Sequence, residues 1–308
     1  SDQLKAARVI FCTLSCAGRS NLQHALRGRV DTLIVDEAAQ AMEAETLIPF
    51  CLRPKQMVLV GDPMQLSATV CHSPAAKAAL FCRSMMERMM GIDFDHIVLR
   101  EQYRMHPEIS HFPSSRFYGG GLINAAKCLR EVQGGGLVLP SYVVVDVPNS
   151  QERSALSGSG DGSHGVTNAQ EAAAAAQFAM GVAKVTEGSV VVLSFFKGQV
   201  ELIQQLLYEE TRRGADAAKI SKVRVHTVDG FQGSEADVVI LSFARANSGR
   251  RLGFLKDFKR LNVALTRSKR MLAIFANVAQ LSGPVQAEAA DDVAALFADA
   301  RRRGVILP

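Results

Sequence analysis

The sequence predicts an α/β fold built on doubly wound parallel sheets, and three observations carry that prediction. Short runs rich in Val, Ile and Leu recur along the chain: RVIFCT at 8–13, TLIVDE at 32–37, MVLVGD at 57–62, HIVLRE at 96–101, YVVVDV at 142–147, SVVVLSF at 189–195, VRVHTV at 223–228, DVVILSF at 237–243 and RMLAIF at 270–275. Most are continuously apolar, as expected of strands covered on both faces by helices. Helical patterns separate several of them, notably the alanine-rich stretch 170–186 and KGQVELIQQLLYEETRR at 197–213, and such alternation is the pattern of parallel sheets.

The chain has 308 residues, which suits two domains of ~150 residues each. With 48% hydrophobic and 21% charged residues, it lies far from the disordered regime. The net charge of +5, from 35 basic and 30 acidic residues, permits a polyanionic partner without requiring one. Six cysteines (Cys12, Cys16, Cys51, Cys71, Cys82, Cys128) include no CxxC pair, which fits neither a zinc ribbon nor a disulfide framework, so they are expected to be reduced and mostly buried. Cys71 beside His72 has no second pair at ligand spacing and is not assigned a metal. No apolar run approaches the ~20 residues that span a bilayer, and no leader pattern opens the chain; an intracellular protein, cytoplasmic or nuclear, is expected.

An amphipathic segment, RSMMERMMGIDFD, ends at Gly91, and the domain boundary is expected near residue 93, giving domains 1–93 and 94–308. QERSALSGSGDGSHG at 151–165 is rich in Ser and Gly and reads as a surface loop inside the second domain.

The chemistry begins with DEAAQ at 36–40, directly after the run TLIV. A buried strand ending in Asp36 and Glu37 puts both carboxylates where open α/β sheets place ligands, able to hold Mg²⁺. Asp36 serves equally as an N-cap for the segment that follows. GDPMQL at 61–66 again ends a strand in an acid; side by side, the two strands would aim Asp36, Glu37, Asp62 and Gln65 at one crevice. Gln65 both donates and accepts, which suits a phosphate oxygen and a water together. A plain Gly-Asp-Pro turn is the bland alternative.

LREQYRMHPEISHF, from Leu99, brings Tyr103 and Arg104 after the run at 96–101: a face on which a base could stack, and a charged fork able to grip phosphate. HTVDGFQGSEADVVILS at 226–242 sets Gly230 and Gly233 around Gln232, then Glu235; glycines there permit close backbone approach or simply serve a turn. RLNVALTRSKR at 260–270 spreads Arg260, Arg267 and Arg270 along a short helical stretch entering a strand. Arg267, on an otherwise apolar face, needs a partner, because an unpaired buried guanidinium is costly. A structural carboxylate would serve; a γ-phosphate from a facing domain would make Arg267 an arginine finger.

In order and spacing these segments resemble motifs II to VI of superfamily 1 helicases, specifically the up-frameshift and senataxin-like group, and RVIFCTLSCAG at 8–18 resembles the motif preceding them. The similarity covers roughly residues 8 to 280. It implies two RecA-like parallel-sheet domains, the first incomplete: 1–93 with Walker B and motif III, and 94–308 with motifs IV to VI. It implies that Asp36 organises Mg²⁺, Glu37 polarises the attacking water, Gln65 senses the γ-phosphate, and Arg104 with Arg267 neutralises it. Tyr103 would stack on adenine and Glu235 bind the ribose, with Asp62 and Gly233 at the ATP site and Gln40 relaying between motifs. Thr13, Ser15 and Thr227 are candidates for holding phosphates of single-stranded RNA or DNA, with affinity that falls as salt rises.

The departures matter as much. No GxxxxGK[ST] occurs in the 308 residues, and KGQVEL at 197 does not substitute, since its lysine precedes the glycine. Without that loop the phosphates lose their amide cradle and lysine, so hydrolysis by these residues alone is expected to be very weak. The expectation is a C-terminal portion of a longer ATP-dependent, 5′-to-3′ helicase whose first strand-loop-helix unit lies elsewhere. Ser67 replaces the usual Pro after QL. The alternative is a non-catalytic nucleic-acid or protein-binding module that lost its P-loop. A switch or transporter nucleotidase would explain DEAAQ but not QYRMHP or LNVALTRSKR. RNA is not distinguished from DNA.

Overall fold

The structure, a computed structural model, describes residues 2–68, 74–128, 140–154, 165–214, 217–283 and 291–308. Cys71, His72 and most of the Ser/Gly-rich stretch lie outside the described residues. The chain divides into two compact units, Ser1–Val98 and Leu99–Pro308.

In the first unit, strands β1 (Thr32–Val35) and β2 (Gln56–Leu59) pair in parallel, with Thr32 opposite Gln56 and Val35 opposite Leu59. Their helical neighbours bury Ala17, Ala25, Leu26 and Leu52 in a small core. A helix at Met85–Met90 starts on a capping box, in which Ser84 and Glu87 exchange bonds, and stops at Gly91. The expectation of strands covered on both faces fails here: Ile34, Val58 and Val60 are exposed. Two further runs, 8–13 and 96–100, form no strand among the described residues, and Phe11 and Ile97 are 94% and 90% exposed. An apolar run becomes a strand only where a neighbour satisfies its backbone groups, and among the described residues β1 and β2 pair only with each other.

The cysteines also depart from expectation. Among those described, only Cys128 is buried, while Cys12 is exposed and Cys16, Cys51 and Cys82 are half-buried. A free thiol packs as a small hydrophobe only where a core reaches it, and the first unit's core is small.

The second unit opens with a short parallel pair, β3 (Glu101–Gln102) and β4 (Ile123–Asn124). Strands β5 (Tyr142–Asp146), β8 (Val190–Ser194), β9 (Val223–Thr227), β10 (Ala236–Ser242), β11 (Ser268–Ala276) and β12 (Ile306–Leu307) form a six-stranded parallel sheet, ordered β12-β5-β11-β10-β8-β9. A small antiparallel pair, β6 (Arg153–Ser154) and β7 (Val166–Thr167), stands apart from it. Here the continuous apolar runs are covered as expected, with β8 buried throughout. Helix Ala169–Val185 lays Ala172, Ala175, Ala176, Ala179, Val182 and Ala183 against them at helical spacing; alanines let helix and sheet approach closely.

Register places the motifs. Thr227, Ser194 and Ser242 lie level at the C-terminal ends of β9, β8 and β10, whereas Ala236 and Ser268 lie level at the N-terminal ends of β10 and β11. Thr227 and the Glu235–Arg267 segments therefore occupy opposite ends of one sheet.

Beneath the C-terminal ends lies Glu171, fully buried. One oxygen accepts from Ser242 Oγ and from the Ala244 amide, both at 2.7 Å, holding Ala244 in a left-handed conformation (φ 59°). Burial raises its pKa to about 8, against backbone and hydroxyl hydrogen bonds that lower it, so the side chain is neutral at pH 7. The folded state then binds the proton more tightly than the unfolded chain, and stability falls as pH rises from the ordinary carboxyl range to about 8. Glu171→Gln is expected to remove that slope: urea midpoints at pH 5 and pH 9 should differ less in the variant than in the parent. Equal slopes would mean that Glu171 titrates normally.

Candidate active site

The first unit brings its predicted residues together by pairing their strands. Backbone bonds from Val60 N to Val35 O and from Ala38 N to Val60 O continue the ladder past both strand ends. Gly61 completes the approach: a Cβ there would lie 3.0 Å from the amide nitrogens of Ala38 and Ala39, so only glycine lets the GDPMQL turn lie against DEAAQ without displacement. Glu37 adopts a left-handed conformation (φ 52°), uncommon for a non-glycine residue and frequent at functional sites. Its amide donates to Asp36 Oδ1 at 2.9 Å, and Gln40 Nε2 donates to its Oε2 at 2.7 Å. Gln65 Nε2 donates to Asp62 Oδ2 at 3.0 Å. Asp36 and Glu37 are exposed, Gln40, Asp62 and Gln65 half-buried.

Asp36 is not the N-cap of a helix; a 3₁₀ turn, Ala38–Gln40, follows, with Glu37 in the capping position and no side-chain cap bond. Asp36 Oδ2 has no partner among the described residues. The position fits Mg²⁺, a hard cation that takes carboxylate oxygens while keeping several waters. No group of three or more metal-ligating side chains occurs among the described residues. Thr13 caps the turn Leu14–Ala17, its Oγ1 accepting from Cys16 N at 3.2 Å, and Ser15 is exposed on that turn.

The second unit gathers two of the predicted groups, Arg104 and Arg267, around one residue, Thr266. Helix Phe258–Leu265 ends there. Arg104 Nη1 donates to the Thr266 carbonyl at 3.1 Å, and Arg267 Nη2 donates to Thr266 Oγ1 at 3.1 Å. Arg267 Nε also donates to Val263 O at 3.0 Å. Cations at a helix C-terminus meet the negative end of its dipole, which favours both guanidinium groups at this helix end. They differ in access: Arg267 is 1% exposed, whereas the Arg104 side chain is 31% exposed.

Glu235 sits between two cations, its Oε2 at 2.7 Å from Arg104 Nε and its Oε1 at 2.7 Å from Lys269 Nζ. The Lys269 hydrogen bond foremost holds its carboxyl below the usual range, against the contrary effect of burial, with Arg104 adding to the lowering. Tyr103 is 61% exposed, with its hydroxyl donating to Glu101 Oε2 at 2.8 Å, and this bond raises the phenol pKa. Gly233 is exposed with φ 74°, and no atom lies near its missing Cβ; its glycine serves the turn, not a close approach. Thr227, half-buried at the far end of the sheet, accepts from the Gly230 amide at 3.2 Å.

Sequence reasoning missed three contributors. Gln102 organises the QYRMHP turn: its Oε1 accepts from the amides of Arg104 and Met105 at 2.9 and 2.7 Å, and its Nε2 donates to Met105 O at 2.8 Å. Thr266 joins the two arginines, and Lys269 compensates Glu235. Three cations within TRSKR were the visible signal for Lys269; nothing in the letters marks which of them would meet Glu235.

Two family models, each described as an AAA domain, match residues 81–279 and 1–73. The chain is 35% identical over 291 residues to the probable helicase MAGATAMA 3 of Arabidopsis thaliana, covering 90% of this chain and 34% of that protein. It is 36% identical over 290 residues to the Arabidopsis regulator of nonsense transcripts 1 homolog, covering 90% of this chain and 22% of that protein. It is also 36% identical over 289 residues to the ATP-dependent helicase NAM7 of Saccharomyces cerevisiae, covering 92% of this chain and 28% of that protein. The chain thus spans about a third or less of the curated relatives it matches. With DEAAQ, GDPMQL, QYRMHP, the FQG segment and LNVALTRSKR in order along an α/β chain, these matches carry one conclusion: the chain belongs to the AAA domain family and, within it, to the up-frameshift/senataxin-like group of superfamily 1 helicases.

Proposed function

We propose that the chain is the part of an ATP-dependent helicase that supplies water activation and charge neutralisation for ATP hydrolysis, coupled to 5′-to-3′ movement along single-stranded RNA or DNA. The observation that carries this reading is the parallel pairing of β1 and β2, which sets Asp36 and Glu37 beside Asp62 and Gln65. In it, Asp36 is the Walker B ligand of Mg²⁺, whose bound form would offset phosphate charge. Glu37, oriented by Gln40, takes the proton of the attacking water, and Gln65, held by Asp62, reads the γ-phosphate. Arg104 and Arg267 neutralise the transferred phosphoryl group, Tyr103 stacks on adenine, and Glu235 and Gly233 line the nucleotide site.

Thr13, Ser15 and Thr227 contact the strand's phosphates. Exposed Thr13 and Ser15 in the first unit, and Thr227 at the sheet end away from Arg267, support a nucleic-acid path separate from the nucleotide. The Walker A loop comes, in this reading, from another segment of the longer protein. Exposed Phe11, Ile34, Val58 and Ile97 support a first unit completed by such a segment. No helix among the described residues is long and apolar enough to cross a membrane, and the reading places the protein in the cytoplasm or nucleus.

The test is steady-state ATP turnover by the longer protein with and without single-stranded RNA or DNA. Stimulation by the strand is expected, with Thr227→Val weakening its apparent affinity by about fivefold, the scale of one lost hydrogen bond. Absent turnover in a protein that still binds the strand would leave the binding-module reading in its place, and turnover indifferent to any strand would refute the coupling.

A further inference from the structure

We propose that Glu235 and Lys269 form a holding device for Arg104, and that Lys269 is a positioning residue for hydrolysis. The inference rests on the reading above, in which Arg104 meets the γ-phosphate.

The backbone of Arg104 is fixed and its side chain is not. Gln102 takes the amides of Arg104 and Met105, and the next residue, His106, donates its amide to the Lys269 carbonyl at 2.8 Å. The QYRMHP turn is thus tied to the first residues of β11, at Lys269 itself. The guanidinium is parked by Glu235 through Nε and by the Thr266 carbonyl through Nη1. Arg104, Glu235 and Lys269 keep side-chain exposures of 31%, 40% and 34%. Ion pairs this exposed are weak and readily exchanged, unlike a buried pair, which costs much to break.

The third charge decides what exchange costs. If Arg104 and Glu235 were alone, movement of the guanidinium to a phosphate would leave a bare carboxylate beside the incoming anion. Lys269 already holds the other oxygen at 2.7 Å, so the carboxylate stays compensated when Arg104 leaves. Lys269 thereby lowers the cost of transferring Arg104 from its parked position to the transition state, without touching the nucleotide.

The experiment measures kcat and KM for ATP in the strand-stimulated longer protein for Lys269→Met, Glu235→Gln, the double variant and Arg104→Ala. Lys269→Met should lower kcat by about fivefold, the scale of one partly exposed charge pair, with KM changed less than about twofold. In the Glu235→Gln background, where no carboxylate needs compensation, the same substitution should cost less than about twofold. Lys269→Arg should keep the parent's kcat. Equal losses in both backgrounds, or no loss in the parent, would overturn the proposal. Full activity in Arg104→Ala would instead defeat the site reading itself, so the two failures are told apart. Should Lys269→Met fold poorly by thermal melting, Lys269→Gln repeats the comparison with a polar side chain.

Discussion

Glu37→Gln in the longer protein is expected to cut strand-stimulated ATP turnover by about 10²–10⁴-fold, the range of a lost general base, while ATP still binds. The amide is nearly isosteric and can still accept from Gln40, whose Nε2 donates to Glu37 Oε2 at 2.7 Å. The substitution therefore removes a proton acceptor and little else. Glu37 is exposed and bonded only locally, so folding should not change. Turnover within about twofold of the parent would mean that another group activates the water.

Arg267→Ala is expected to lower kcat by about 10³–10⁵-fold, the range of an arginine finger. Its interpretation needs a control, because Arg267 is 1% exposed and its guanidinium donates to Val263 O and Thr266 Oγ1. Truncation leaves those acceptors without their donor in a buried place, which costs stability. Arg267→Lys keeps the charge and loses the fork. A lysine variant that melts like the parent yet turns over at least about tenfold more slowly assigns the loss to catalysis rather than folding. A lysine variant with full kcat would make Arg267 a structural tie at the end of its helix, and Arg104 the one guanidinium left for the phosphate.

The sequence made the sheet of the second unit legible because its central strands β8 and β10 are buried on both faces, where continuous apolar runs such as VVVLS at 190–194 belong. The same rule failed at 8–13 and 96–100. Letters report what a strand would bury, not whether a neighbour stands beside it to satisfy its backbone, and there none does among the described residues. Adjacency of DEAAQ and GDPMQL was legible from the shortness of the connection between two apolar runs, and Gly61 was visible as a glycine without its reason, the amides of Ala38 and Ala39 at 3.0 Å. Conformation was less legible: nothing marks Glu37 as left-handed. Pairings across long sequence separations were least so. Glu235 was read as a ribose ligand, and its bonds to Arg104 and Lys269 depend on a fold that brings together residues 131 apart.

In the proposed reading, Arg104 stabilises the phosphoryl group while it is transferred. The most direct measurement compares the affinities of the longer protein for ADP and for ADP with aluminium fluoride, which mimics the transferred phosphoryl group, in the parent and in Arg104→Ala. The variant is expected to lose at least about tenfold on the mimic while ADP binding changes less than about twofold. Equal affinities for the mimic in parent and variant would show that this guanidinium never reaches the phosphate.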